Sequence, residues 1–204
     1  MRRIWTRSRV SDLEKEKWDD RYESGDYRPR TWPSPFLETW LPRLQPGRAL
    51  DVACGAGRNA MLAAAAGHHV DAVDISSVAI AAAQSSADRR GLDVNWIVAD
   101  LDDWRPASAS YDLITVIRYV NRSLWPLLTN ALTQNGWLFV EHHFATHEAV
   151  GGPTDPAFRL RPQELLQAFG MLRVVHFEEV IEIDRDGGRY ALQRIAACNG
   201  DPGW

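Results

Sequence analysis

The sequence predicts an α/β protein with a doubly wound, mostly parallel sheet of seven strands that ends in an antiparallel C-terminal hairpin strand. Three observations carry that expectation. From Arg48 onward, short apolar runs alternate with helical stretches, the order that produces parallel strands covered by helices. The first of these strands enters a glycine turn, Gly55-Ala56-Gly57, that opens a helix. Near the C-terminus, Leu172 to Ile183 and Arg189 to Ala197 flank the turn Asp184-Arg185-Asp186-Gly187-Gly188, which reads as a hairpin.

Residues 11–44 interleave Trp18, Tyr22, Tyr27, Trp32, Phe36 and Trp40 with charges and with four prolines, and should form a helix followed by an irregular cap. The regular part then reads strand 48–53, helix 58–66, strand 69–74, helix 76–90, strand 94–98, strand 111–117, helix 124–132 and strand 136–143. Ser76 is a natural N-cap, and Ile75, Val78, Ala79 and Ala82 recur at helical spacing as a face for the sheet. The alanine-rich stretch from Ala60 to Ala66 suits a helix packed close against strands. Ala145 to Arg161 is longer than most connections in compact domains and marks a lid or binding loop. Pro162 opens a short helix with Glu164 in its first turn and Leu165, Leu166 and Phe169 on its apolar side.

With 204 residues, 45% of them hydrophobic, the chain is sized for a single globular domain with a substantial core. Within it we expect an N-terminal cap over 1–44 and a cofactor-binding domain over 45–204. The net charge of −4 argues against a nucleic-acid surface. Met1 to Val10 contains four arginines and no apolar run, and no stretch approaches membrane-spanning length, so a cytoplasmic protein without membrane contact is expected. Cys54 and Cys198 are the two cysteines, too few for a disulfide framework and consistent with a reducing compartment. Cys54 reads as a small filler of the glycine turn.

The chemistry concentrates at strand ends. Asp51 lies just before the glycine turn, and Asp74, nineteen residues after Gly55, ends the second strand where a carboxylate can accept both hydroxyls of a ribose. Asp100 ends the third strand, placed to accept a hydrogen bond from an adenine amine held between Ile75 and Leu101. Gly55-Ala56-Gly57-Arg58-Asn59-Ala60 also satisfies the dinucleotide fingerprint, so a nicotinamide-dependent oxidoreductase is a second reading. Asp51 weighs against it: a diphosphate meets an extra negative charge there, whereas the sulfonium and ammonium of S-adenosylmethionine are attracted.

In the order and spacing of Asp51, the glycine turn, Asp74 and Asp100, the chain resembles the class I S-adenosylmethionine-dependent methyltransferases over roughly residues 45–197. The resemblance implies a Rossmann-like methyltransferase fold with its terminal hairpin. It implies cofactor contacts from Asp51, Ala53, Gly55, Gly57, Asn59, Asp74, Ile75, Asp100, Leu101 and Ile117. Trp18 and Arg21, which share a helix face with Tyr22, are expected to fold over the cofactor. Trp18-Asp19-Asp20-Arg21-Tyr22, Pro33-Ser34-Pro35-Phe36-Leu37, the turn Ala53 to Asn59 and Phe158-Arg159-Leu160 with Glu164-Leu165 are similar to the tellurite-resistance group and its thiopurine-type small-molecule relatives. Glu141-His142-His143 departs from that subgroup's pattern and suits an acceptor that must lose a proton.

The expected activity is methyl transfer to a small-molecule acceptor by in-line displacement, by a monomer or weak dimer. His142, His143, Tyr22 and Arg118 are the candidate catalytic groups. No metal is expected, because His142, His143 and His147 lack convincing ligand spacing. A non-catalytic nucleotide-binding module is the third reading.

Overall fold

The computed structural model describes residues 7–25, 27 and 29–203. The Met1 to Val10 segment considered for targeting lies partly outside them. Seven strands form one sheet in the order β3-β2-β1-β4-β5-β7-β6, as the element order predicts. They are β1 (Arg48–Val52), β2 (His69–Asp74), β3 (Val94–Val98), β4 (Tyr111–Ile117), β5 (Leu132–His143), β6 (Arg173–Ile183) and β7 (Arg189–Cys198). β2 and β3 pair in parallel, as do β4 and β5, while β7 runs antiparallel to both β5 and β6. The helices are α1 (Arg7–Glu23), α2 (Pro35–Trp40), α3 (Arg58–Ala65), α4 (Ser77–Asp88), α5 (Trp125–Ala131) and α6 (Glu164–Phe169).

The chain folds as two compact units. One runs to Pro46 and resumes over Leu50–Arg105; the other comprises Gly47–Ala49 and everything from Pro106 onward. In the first, Leu50 and Val52 of β1 and Ala72 and Val73 of β2 are fully buried. Ala60 and Ala63 of α3 are buried as well, small enough to bring that helix close to the strands. Ser76 caps α4 by accepting from the amide of Ala79 at 3.1 Å. The buried face of α4 is Ala79, Ile80, Ala83 and Ala87, and Ala82, expected on it, is exposed. The expected face included Ala82; the Ser76 cap and the packing turn Ala83 to the sheet instead.

In the second unit, Leu113, Ile114, Leu138, Phe139, Leu192 and Ile195 are completely buried, as strands covered on both faces require. Each such side chain stabilises the fold by roughly 1.5–3 kcal/mol. Trp125 of α5 packs on Phe169 of α6 with ring centroids 5.5 Å apart. Pairing in β5 begins at Leu132 rather than at Gly136, because Asn135 takes a left-handed conformation (φ 64°) and lets the chain jog between Leu132 and Trp137. No helix among the described residues is long and apolar enough to cross a membrane.

Candidate functional site

The first unit assembles the glycine turn and its acids. After β1 the backbone takes positive φ at Ala53 (54°), Gly55 (54°) and Gly57 (78°), so it reverses within a few residues. Both glycine amides are already used: Gly57 N–H donates to the carbonyl of Cys54 at 3.0 Å, and Gly55 N–H donates to Asp74 Oδ2 at 2.8 Å. The other oxygen of Asp74 accepts from Ser76 N–H at 2.9 Å. Burial raises the Asp74 carboxyl above its ordinary value, against the lowering effect of these amides. Asp51 is also buried, at 2% exposure.

The two glycines serve different purposes. A Cβ at Gly55 would meet the phenolic oxygen of Tyr22 at 2.6 Å, so the open side of this turn is lined by a movable side chain. A Cβ at Gly57 would strike Trp96 at 2.5 Å and Ala83 at 2.9 Å, which makes Gly57 a packing requirement between α3, α4 and β3. Cys54 is buried, and burial followed by the neighbouring Asp51 and Asp74 pushes its thiol well above the usual range. It stays protonated and inert, as a filler should.

Residues expected around an adenosine lie near these acids. Ile75 is half-buried and Leu101 buried. Asp100 is half-buried and accepts from Asp102 N–H at 2.8 Å, closing its own turn. Asn59 Oδ1 accepts from the amide of Ser34 at 2.9 Å and so ties the cap segment to α3. Trp18, Tyr22 and Tyr27 form an aromatic cluster with centroids 5.2–6.3 Å apart, and the Arg21 guanidinium lies over Trp18 and Tyr27. Burial, then Tyr27 and Asp74, raises the Tyr22 phenol, which therefore stays neutral.

Sequence reasoning missed what holds α1 there. Asp19 accepts from the Ser76 hydroxyl at 2.6 Å, from Val78 N–H at 3.2 Å and from Lys15 at 2.5 Å, so one carboxylate fastens α1 to the start of α4. Only the Lys15–Asp19 spacing was visible beforehand.

The second unit places the remaining expected residues. Ile117 is buried at the end of β4, and Arg118 follows with φ 65°. Its Nε donates to Glu141 Oε1 at 3.0 Å, Nη2 lies 3.5 Å from Asp184, and the guanidinium covers the Tyr190 ring at 5.2 Å. Nη1 is 3.0 Å from one ring nitrogen of His143 and 3.4 Å from the other. A donor in line with one imidazole lone pair cannot be nearly as close to the opposite nitrogen, so Arg118 stacks on the ring face. Glu141 shares its second oxygen with Arg194 at 2.7 Å, and Arg194 continues to Glu178 and Glu182 on β6. Arg194, Asp184 and Tyr190 were not anticipated from sequence, since cross-strand pairing alone brings them here.

His142 lies on the opposite face of β5. It is 3% exposed, and Nε2 is 2.8 Å from the carbonyl of Phe158. Burial, followed by the positive charges of Arg118 and Arg122, lowers its pKa to about 4 despite that bond. The 145–161 segment is well braced: Arg159 donates to the carbonyls of Pro153, Gly151 and Phe144, and Arg122 to those of Ala157 and Arg159 and to Glu164. No group of three metal-ligating side chains occurs among the described residues.

These residues fit S-adenosylmethionine better than a dinucleotide. Two buried carboxylates flank the turn, and the glycine amides that a diphosphate needs are spent on Asp74 and Cys54. Residues 49–134 match the family described as a methyltransferase domain. Over that stretch the chain is similar to methyltransferase domains, and its fold is that of solved S-adenosylmethionine-dependent methyltransferases.

Among solved structures, TehB from Haemophilus influenzae is similar with a TM-score of 0.70 at 18% identity, over 89% of this chain and 66% of that one. The chain thus spans just under two thirds of that relative. A Methanosarcina mazei S-adenosylmethionine-dependent methyltransferase gives 0.66 at 17% identity, over 83% and 99%. The protein captured in the conversion of a disulfide bond into a thioacetal group during echinomycin biosynthesis gives 0.67 at 20%, over 93% and 94%. No curated protein matches the chain in sequence.

Proposed function

We propose that the chain is an S-adenosylmethionine-dependent methyltransferase acting on a small-molecule acceptor, with Asp51, the Gly55 turn, Asp74, Ile75, Asp100 and Leu101 holding the cofactor. The observation that carries the cofactor half of this reading is the Asp74 carboxylate, buried yet ionisable, with one oxygen on each of two backbone amides. That clamp fixes its direction for a pair of ribose hydroxyls. Tyr22, Trp18 and Arg21, fastened through Asp19, form the lid on the same turn.

When bound, S-adenosylmethionine supplies an electrophilic methyl on a sulfonium, whose leaving thioether needs no protonation. The chain therefore has to orient the acceptor, exclude water and, for a protonated nucleophile, take up one proton. Alignment by itself is worth roughly 7–11 kcal/mol in favourable cases. The small-molecule character is supported by the braced 145–161 segment, tied by Arg122, Arg159 and His142 beside the strand ends. A macromolecular acceptor calls for an open track, and the acidic balance of the chain disfavours nucleic acid.

Calorimetry with S-adenosylhomocysteine tests the reading: the intact protein binds it and Asp74→Ala loses most of the affinity. Quenching of tryptophan fluorescence by NADH, with no response to S-adenosylhomocysteine, would reverse it.

A further inference from the structure

We infer that Asp19 is a positioning residue for the cofactor grip: it acts on Asp74 through Ser76, so that S-adenosylhomocysteine is retained while α1 is docked and leaves when the Asp19–Ser76 tie breaks. The inference rests on the proposed methyltransferase reading and deepens it by naming what controls release at that site.

All the residues concerned lie in the first unit, and their contacts close a ring. Asp74 accepts from Gly55 N–H on one oxygen at 2.8 Å and from Ser76 N–H on the other at 2.9 Å. The Ser76 hydroxyl donates to Asp19 of α1 at 2.6 Å. Three residues further along α1, the phenolic oxygen of Tyr22 stands over Gly55, 2.6 Å from where a Cβ would be. One turn of α1 therefore bears on both residues whose amides hold Asp74.

Ser76 does more than capping requires. An N-cap needs only an acceptor, here used by Ala79 N–H at 3.1 Å, and an aspartate would serve as well. A hydroxyl also has one hydrogen to give. On this fully buried side chain it goes to Asp19, which a carboxylate in the same place would repel instead.

The helix so tied has little else to hold it. From Asp12 to Glu23 no residue is buried: Lys15, Trp18, Asp19 and Tyr22, one stripe at helical spacing, are half-buried and the others are exposed. Docking depends on Asp19, which also accepts from Val78 N–H at 3.2 Å, and on the rings of Trp18, Tyr22 and Tyr27. An element with so little buried apolar surface opens at small free-energy cost. A ligand that orders Asp74 and the Gly55 turn stabilises the docked helix, and by linkage the docked helix holds that ligand tighter by the same factor.

The test is stopped-flow release of S-adenosylhomocysteine from the whole protein, read by tryptophan fluorescence, together with amide exchange over 12–23. In the parent, S-adenosylhomocysteine is expected to slow exchange across α1. Asp19→Ala should raise the dissociation rate about tenfold without slowing association, a split that mere loss of stability does not produce. Asp19→Asn, which keeps an acceptor oxygen for Ser76 and Val78, should restore slow release. Equal release rates in the parent and Asp19→Ala, exchange in α1 indifferent to S-adenosylhomocysteine, or release from Asp19→Asn as fast as from Asp19→Ala each overturn the inference and leave the proposed function standing. Failure of S-adenosylhomocysteine to bind the parent is the separate outcome that sinks the proposed function.

Discussion

The hydroxyl of Ser76 donates to Asp19 at 2.6 Å while its amide donates to Asp74 at 2.9 Å. One residue therefore links helix α1 to the acid expected to hold the cofactor. Burial raises the Asp19 carboxyl, but Lys15, Ser76 and the Val78 amide outweigh it and hold the group at about 2. Because the folded value lies below the ordinary one, this tie stabilises the protein above pH 4 and is lost as pH falls toward 2. Asp19→Ala is expected to cost about 1 kcal/mol of α4 capping. It should also speed amide exchange in α1 and weaken S-adenosylhomocysteine binding, both measurable by exchange mass spectrometry and calorimetry.

The glycine pair separates function from stability. Gly57→Ala forces a Cβ into Trp96 and Ala83 at φ 78°, so it should lower the melting temperature strongly, by the several kcal/mol that overpacking and left-handed strain combine to cost. In Gly55→Ala the new methyl meets the end of a flexible tyrosine instead. The expected result is a smaller stability loss with a clear fall in S-adenosylhomocysteine affinity. Thermal melts and titrations on the two variants decide it, and equal effects on both measurements would refute the distinction.

Arg122 holds Glu164 and two carbonyls of the 145–161 segment. Its hydrogen bond, helped by the Arg161 amide, keeps the Glu164 carboxyl at about 2, below its usual value. By the same sign, this contribution is present above about pH 4.5 and disappears on acidification toward 2. Glu164→Gln should remove that part of the acid sensitivity. Arg122→Ala should open Ala145 to Phe158 to limited proteolysis at neutral pH while leaving the sheet intact by circular dichroism.

His142 follows the same sign in a higher pH window. Its folded pKa of about 4 lies below the ordinary 6.5, so the unfolded chain binds the extra proton and stability falls as pH drops from 6.5 to 4. The charged groups around it are Arg118, Arg122 and Glu141, with His143 adjacent. Urea midpoints of His142→Gln measured across that window should show a flatter slope than the parent; an unchanged slope would assign the effect elsewhere.

Much of this molecule was legible in its residues. The glycine turn, the carboxylate ending β2, the Ser76 cap and the hairpin from Arg173 to Cys198 each rest on chemistry within a few positions. Other features were not. Arg118 read only as a candidate catalytic group; that it is held between Glu141 and Asp184 and stacked on His143 could not be seen in the sequence. The face of α4 was shifted off Ala82, and β5 began four residues early, because alternation cannot fix phase where alanines or a left-handed asparagine intervene.

By itself the sequence determined the order of strands and helices and the chemistry available at each strand end, since periodicity, caps and turn residues act locally. Tertiary structure decided which charge each of those groups meets. Asp19 and Ser76 are 57 residues apart, and Glu141 and Arg194 are 53 apart. Such pairs exist only after strands and helices have packed, and they determine which groups are committed to the fold.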